Sequence, residues 1–295
     1  MSGKISVVIN TLNEEKNLKQ ALEFVKWADE ILVCDMYSED KTVEIAKKMG
    51  AKVFYHKKVD FVEPTRNFAI SKATGDWILI LDADEQIPDS LSDRLQELVR
   101  KAVSSDFVEI PRKNIIFGKW LKHTGWWPDY QIRFFKKGAV TWKDEIHSRP
   151  NVKGIGLILK PEEKWAIIHH NYQTISQFIE RMSRYTTVEA EQKILEGYKF
   201  DWRDLLRKPL SEFLSRFFAN RGFEDGIHGL ALSLLQAFSH LLVYLKVWEK
   251  EKFKQQDLRP AEFEDETKLI AGDVNYWINQ SKQGTLKKFL KIFKK

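Results

Sequence analysis

The sequence predicts an α/β fold, a mixed, mostly parallel sheet with flanking helices, followed by a C-terminal helical region. Three observations predict it. Residues 78–81 are an unbroken apolar run, too short for a typical helix and suited to a strand buried on both faces. Residues 5–9 and 31–34 are further runs of the same kind. Helix-period segments alternate with them, an order for which right-handed parallel connections are the rule.

The first strand, over 5–9, runs into Asn10-Thr11-Leu12-Asn13-Glu14-Glu15. The spacing of Leu18, Leu22 and Val25 predicts a helix, with Asn13 as its N-cap and Glu14 and Glu15 complementing its dipole. The second strand, 31–34, ends at Asp35. A helix then starts in the segment 38–42 and stops at Gly50, and 52–55 is a third strand. A helix over 63–72, ended by Gly75, carries Arg66 and leads to the strand at 78–81.

That strand stops at Asp82-Ala83-Asp84-Glu85. Its position puts both aspartates at the carboxyl edge of the sheet, where open α/β folds bind ligands. Carboxylates this close repel unless a cation lies between them. Mn²⁺ or Mg²⁺ is the expected guest, because hard divalent ions take oxygen ligands and share them with substrate phosphates. The first turn has no Gly-x-Gly-x-x-Gly fingerprint, so a diphosphate is not cradled there. Arg66 is the nearest candidate for added positive charge, and Asp35 suits a ribose hydroxyl or a base edge.

The totals narrow the class. With 43% apolar and 31% charged residues, the 295-residue chain is not disordered and can bury one large core or two small ones. A net charge of +6 favours anionic partners such as nucleotides or lipid headgroups, and no nucleic-acid partner is expected. The single Cys34 excludes an internal disulfide and predicts a reducing cytoplasm. The N-terminus enters a strand directly, so no signal peptide is expected, and no clean apolar run of membrane-spanning length stands out. Ten tryptophans suit sugar faces and membrane interfaces equally.

The segments 6–14 and 33–40, Arg66-Asn67 and Asp82-Ala83-Asp84-Glu85, in this order and spacing, resemble the inverting, metal-dependent glycosyltransferases of family 2, with the GT-A fold. The resemblance implies that Thr11, Asn13, Glu14 and Asp35 line the nucleotide pocket. It also implies that Asp82 and Asp84 frame the metal and diphosphate. Met36-Tyr37 departs from the small residue or Gly often found after the second-strand Asp, which alters how a base is packed.

Trp127 to Phe135, Ile146-His147-Ser148 and His169-His170-Asn171-Tyr172 resemble a subgroup similar to the lipopolysaccharide-core β-glucosyltransferases. There His169 matches a position that touches metal or diphosphate. Ser148 stands where the subgroup commonly has glutamate, and a serine cannot take the acceptor's proton. Asp129, expected beside Arg133, and Glu145 are the candidate bases, with Asp144 in reserve. Of Trp120, Trp126, Trp127 and Trp142, at least half are expected to close the core.

Residues 165–168 read as a strand whose alternation turns His169 and His170 to opposite faces. From Ile175 the pattern is helical, with Phe178, Met182, Tyr185 and Val188 on one face. Residues 227–248 are expected to form an apolar hairpin, buried or membrane-seated. Residues 255–267 read as a linker, and the five lysines within 284–295 define a basic amphipathic tail suited to an anionic leaflet. The expected organisation is a catalytic domain over 1–175 (nucleotide half 1–106, acceptor half 107–175), a helical region over 176–254, and linker plus tail over 255–295.

These features predict an enzyme moving a sugar from a nucleotide-sugar, with UDP-hexose favoured by family habit. The acceptor is a cell-surface glycan or lipid-linked molecule such as lipopolysaccharide core, and the enzyme is peripheral on the inner face of the plasma membrane. A polyprenyl-phosphate or peptide acceptor is the alternative. A nucleotidyltransferase lacks its early Gly-rich phosphate loop, and a catalytically inactive membrane or glycan-binding module conflicts with the intact acidic pair.

Overall fold

The computed structural model describes residues 3–59, 63–142 and 149–292. The chain divides into two compact units, one of residues 1–115 and 127–171, the other of residues 116–126 and 172–295.

The first unit begins β1 (Ile5–Thr11), α1 (Leu18–Glu23), β2 (Glu30–Asp35), α2 (Thr42–Lys48), β3 (Lys52–Tyr55), α3 (Glu63–Lys72) and β4 (Trp77–Asp82). The short β5 (Glu85–Gln86) and the amphipathic α4 (Asp89–Arg100) follow, then β6 (Phe107–Ile110) and β7 (Arg112–Ile116). After β8 (Lys119–Trp120) in the second unit come β9 (Gln131–Lys136), β10 (Val140–Thr141), β11 (Asn151–Val152), β12 (Gly156–Ile158) and β13 (Ile167–Tyr172). A seven-stranded sheet has the order β12-β6-β9-β4-β1-β2-β3, and a second sheet runs β5-β13-β7. Strands β4, β1, β2 and β3 are parallel, whereas β9 runs antiparallel between β4 and β6.

Alternation along the central strands explains why they read as solid apolar runs. Val7, Ile9, Val33, Leu79 and Leu81 enter one buried cluster, while Val8, Leu32, Cys34, Ile78 and Ile80 enter the other. Helices cover both faces, so both sets of alternate positions are filled mainly by apolar residues, with Ser6 of β1 a buried exception. Burial pushes the Cys34 thiol up to about 11. Gly75 does not end α3, which stops at Lys72. A Cβ there would stand 2.7 Å from Ser6 Oγ and 2.8 Å from Lys4 O. Its absence lets the chain approach β1 closely enough for Trp77 N to bond Lys4 O.

Asn13 is not an N-cap. Helix α1 starts at Leu18, while Asn13 adopts φ +56°. The strand expected over 165–168 begins at Ile167, because Glu163–Trp165 form a 3₁₀ turn. His169 is buried and His170 is not, as the alternation requires.

The second unit is helical: α5 (Ile175–Leu195), α6 (Asp204–Leu214) continued by a π-turn over Ser215–Ala219, α7 (Ile227–Lys250) and α8 (Pro260–Ile292). The buried face of α5 is Phe178, Met182, Thr186 and Ala190, an i+4 row; Tyr185 is exposed. The expected hairpin is instead one 24-residue helix, α7. Gly229 allows it to pack on the turn before it, where a Cβ would lie 1.8 Å from Gly222 O. By length and composition α7 passes for a membrane span, with mean hydropathy 1.5. Ile227, Leu234 and Phe238 are exposed along it. Within this unit Asp225 accepts from the backbone of Lys122 and His123 and from Thr124 Oγ1, tying 116–126 to the helices. The expected linker is shorter than read: from Pro260 onward the chain is one 33-residue helix, and its last turns include residues 284–292.

Candidate active site

Parallel pairing brings the ends of β1, β2 and β4 to one edge. Thr11 lies opposite Asp35, and Asn10 opposite Asp82. Asp35 is fully buried and accepts from Thr11 Oγ1 at 3.0 Å, Ser38 N at 2.8 Å and Ser38 Oγ at 2.5 Å. The left-handed turn at Asn13 lets its Oδ1 accept from Glu39 N while its own N donates to Ser38 Oγ, both at 2.8 Å. Glu14 N donates to Thr42 Oγ1. Thr11, Asn13, Glu14 and Asp35 are thus brought together, and they bind the β1–α1 and β2–α2 loops to each other. Beyond them Tyr37, also at positive φ, stacks on Tyr55 with ring centroids 5.4 Å apart.

At the end of β4 the charges interlock. Asp82 Oδ1 accepts from Arg66 at 3.1 Å, and Oδ2 accepts from Arg133. Arg133 Nη2 also reaches Glu85 Oε1 at 3.0 Å, Arg112 donates to the same oxygen at 3.1 Å, and Glu85 Oε2 caps Asp82 N at 3.0 Å. Burial works against ionising Asp82, but Arg133, then Arg66 and Arg112, outweigh it and hold its carboxyl far below the usual range. Arg66 is buried and its guanidinium lies 5.5 Å from the centroid of the Trp142 ring, so it is not a surface charge. Arg133 keeps Nε and Nη1 without a protein partner among the described residues.

Asp84 points elsewhere. Antiparallel pairing of β5 with β13 sets His169 opposite Glu85, and His169 Nε2 comes within 3.5 Å of Asp84 Oδ2. His169 Nδ1 lies 2.7 Å from Asn114 Oδ1, and Asn114 Nδ2 donates to Asp129 Oδ2 at 2.7 Å. Asp129 also accepts from Arg112 Nε at 2.8 Å and Gln131 Nε2 at 3.0 Å. Its ion-pair partner is therefore Arg112. Arg133, expected beside it, serves Asp82 and Glu85. Burial opposes ionisation of Asp129, yet Arg112 and the Asn114 and Gln131 hydrogen bonds hold its pKa down.

Glu145, Asp144, His147 and Ser148 lie outside the described residues. Among the described residues no group of three or more His, Cys, Asp or Glu surrounds one point. The Asp84–His169 pair nevertheless fits a divalent cation. It offers one oxygen and one nitrogen at a separation a single ion bridges, and such ions usually keep positions for substrate phosphates. Asp82 is bound by two guanidinium groups, those of Arg66 and Arg133. Sequence reasoning missed Arg112 and Asn114; their i, i+2 spacing on β7 turns both to one face, but nothing local shows what that face meets. Trp142 is buried in the core, as expected for part of the tryptophan set.

The arrangement suits phosphate-bearing ligands at a sheet edge, the class of nucleotide-sugar enzymes. Residues 6–153 match the family described as Glycosyl transferase family 2, and the chain belongs to it. An uncharacterized glycosyltransferase of Rickettsia typhi is 29% identical over 255 residues, covering 83% of this chain and 87% of that protein. The lipopolysaccharide core biosynthesis glycosyltransferase LpsC of Rhizobium meliloti is 22% identical, covering 84% and 94%. The crystal structure of S. aureus TarS 1–349 is 16% identical, covers 87% of this chain and 94% of that one, and has a TM-score of 0.43. The protein is a glycosyltransferase of the GT-A fold that uses a nucleotide sugar.

Proposed function

We propose that the protein is a cation-dependent inverting hexosyltransferase. It takes the sugar from a UDP-hexose and passes it to a cell-surface glycan or lipid-linked acceptor, such as lipopolysaccharide core. The observation that carries the cation dependence is the approach of His169 Nε2 to Asp84 Oδ2 at 3.5 Å, at the carboxyl edge of β4. Asp84 and His169 would hold Mn²⁺ or Mg²⁺; when bound, the ion supplies a Lewis-acid charge for the departing diphosphate. Arg133, with two buried donors that have no partner among the described residues, and Arg66 add fixed positive charge beside it. Thr11, Asn13, Glu14 and Asp35 shape the nucleotide pocket, and Asp82 orients the arginines.

In a single displacement the acceptor oxygen bonds to the anomeric carbon as the carbon–diphosphate bond breaks, which inverts the centre. The hydroxyl proton passes to a carboxylate. Glu145 is the proposed base, since the donors around Asp129 fit it better for positioning. Work at an anionic membrane surface, on its cytoplasmic side, is supported by the apolar length of α7 and the lysine-rich end of the chain.

Release of UDP from UDP-glucose should require Mn²⁺ or Mg²⁺, stop with EDTA and stop in Asp84→Ala. Turnover indifferent to EDTA and to that substitution would remove the cation from the reading.

A further inference from the structure

Asn114 sits fully buried between Asp129 and His169, and its amide has only one workable orientation. An ionised carboxylate is acceptor-only, so the group 2.7 Å from Asp129 Oδ2 must be Nδ2. The opposite flip would set the amide oxygen against a carboxylate oxygen. Arg112 Nε and Gln131 Nε2 hold Asp129 in place from other sides, so it cannot turn away. Oδ1 therefore faces His169 Nδ1 at 2.7 Å, and an amide oxygen can only accept. The ring must carry a proton on Nδ1.

We propose that Asn114, oriented by Asp129, fixes the neutral His169 ring as the Nδ1–H tautomer, the one whose Nε2 is bare and faces Asp84. On the neutral ring that nitrogen carries a lone pair, and together with the Asp84 carboxylate oxygen 3.5 Å away it would hold a divalent cation. The order Arg112, Asp129, Asn114, His169 is a relay of acceptors and donors in which each partner dictates the next. Asp129 and Asn114 are positioning residues in this scheme, acting on Nε2 through the ring they hold. The role of the lone pair as a ligand rests on the cation reading above, but the tautomer does not.

The test is a long-range ¹H–¹⁵N spectrum of the metal-free protein at pH 8, with the His169 ring assigned by its loss in His169→Gln. Wild type should show Nδ1 protonated and Nε2 bare. A ring whose Nδ1 lacks the proton overturns the proposal. Asn114→Leu, which keeps bulk and removes the acceptor, should give a mixture of tautomers and weaken Mn²⁺ binding by about 10- to 100-fold in calorimetry. Asp129→Asn, which frees the Asn114 amide to flip, should give the same mixture, and it keeps the question answerable should Asn114→Leu fail to fold. Either variant with an unchanged single tautomer overturns the relay. An Asn114-dependent tautomer whose ring signals ignore added Mn²⁺ upholds the relay and sinks the cation reading alone.

Discussion

Arg133 Nη2 lies 3.0 Å from Glu85 Oε1, with the two side chains only 3% and 0% exposed. Glu85 is a hub: it also accepts from Arg112 and from the backbone N of Asp82. Removing one member of a buried pair leaves an uncompensated charge and costs about 3–5 kcal/mol. Glu85→Ala should lose that much in urea unfolding, and Glu85→Gln, which keeps an acceptor, should lose less. A Glu85→Ala midpoint equal to wild type would show that the arginines are held by something else.

The two aspartates of the acidic turn should part company on substitution. Asp82→Ala takes a counter-charge from both Arg66 and Arg133, and should lower stability by about 1–3 kcal/mol as well as activity. Asp84→Ala should abolish cation-dependent UDP binding with a smaller change in unfolding midpoint. Calorimetry and urea titration on the same two samples separate these outcomes.

The base is found by kinetics. Glu145→Gln should lose most of kcat with little change in donor KM, because it removes only proton acceptance. Asp129→Asn should instead raise the Mn²⁺ concentration needed for half-maximal rate. A reversal, with Asp129→Asn losing kcat at saturating Mn²⁺ and Glu145→Gln near normal, would return the base to Asp129.

Glu30 links stability to acid. It is held down to about 2: burial opposes ionisation, but Lys52, Ser6 and Thr74 donate to its carboxylate and prevail. A depressed folded-state pKa gives stability that is present above the unfolded value, about 4.3–4.5, and fades as pH falls toward 2. Lys52 is largely exposed, so solvent screening trims the contribution to on the order of 2 kcal/mol. Unfolding free energies of wild type and Glu30→Gln should differ by about that much at pH 6 and converge near pH 2. Parallel curves across that window would exclude the linkage.

Deleting residues 284–295 should lower binding to anionic liposomes and leave hydrolysis of the soluble donor unchanged. Each lysine near such a surface adds on the order of 1 kcal/mol, and salt screens it. Full-length protein that ignores anionic vesicles at low salt would end the membrane reading.

Much of the parallel sheet was legible because its strands are dominated by apolar residues, and β2 and β4 end in the acids Asp35 and Asp82. Asp82 and Asp84 were legible for the same reason. The N-cap at Asn13 failed because capping is judged from residue type nearby, while Asn13 turns left-handed to meet Glu39 on another loop. Which arginine meets Asp129 was illegible, since it depends on which strands pair. His169 faces Asp84 only because β13 pairs with β5 across some eighty residues of chain. Local periodicity carries no record of such partners.

The bonds joining Asn13, Ser38, Glu39 and Asp35 bear on how a nucleotide arrives. Both loops at that edge are tied to each other by bonds within the chain, so a nucleotide bound there, as proposed, would not have to supply those ties itself. In the proposed reading a donor nucleotide meets a rim that the protein braces with its own hydrogen bonds. Cutting one tie, as in Ser38→Ala, would shift the cost of that bracing onto the encounter, surfacing as slower association while the bound complex dissociates much as before.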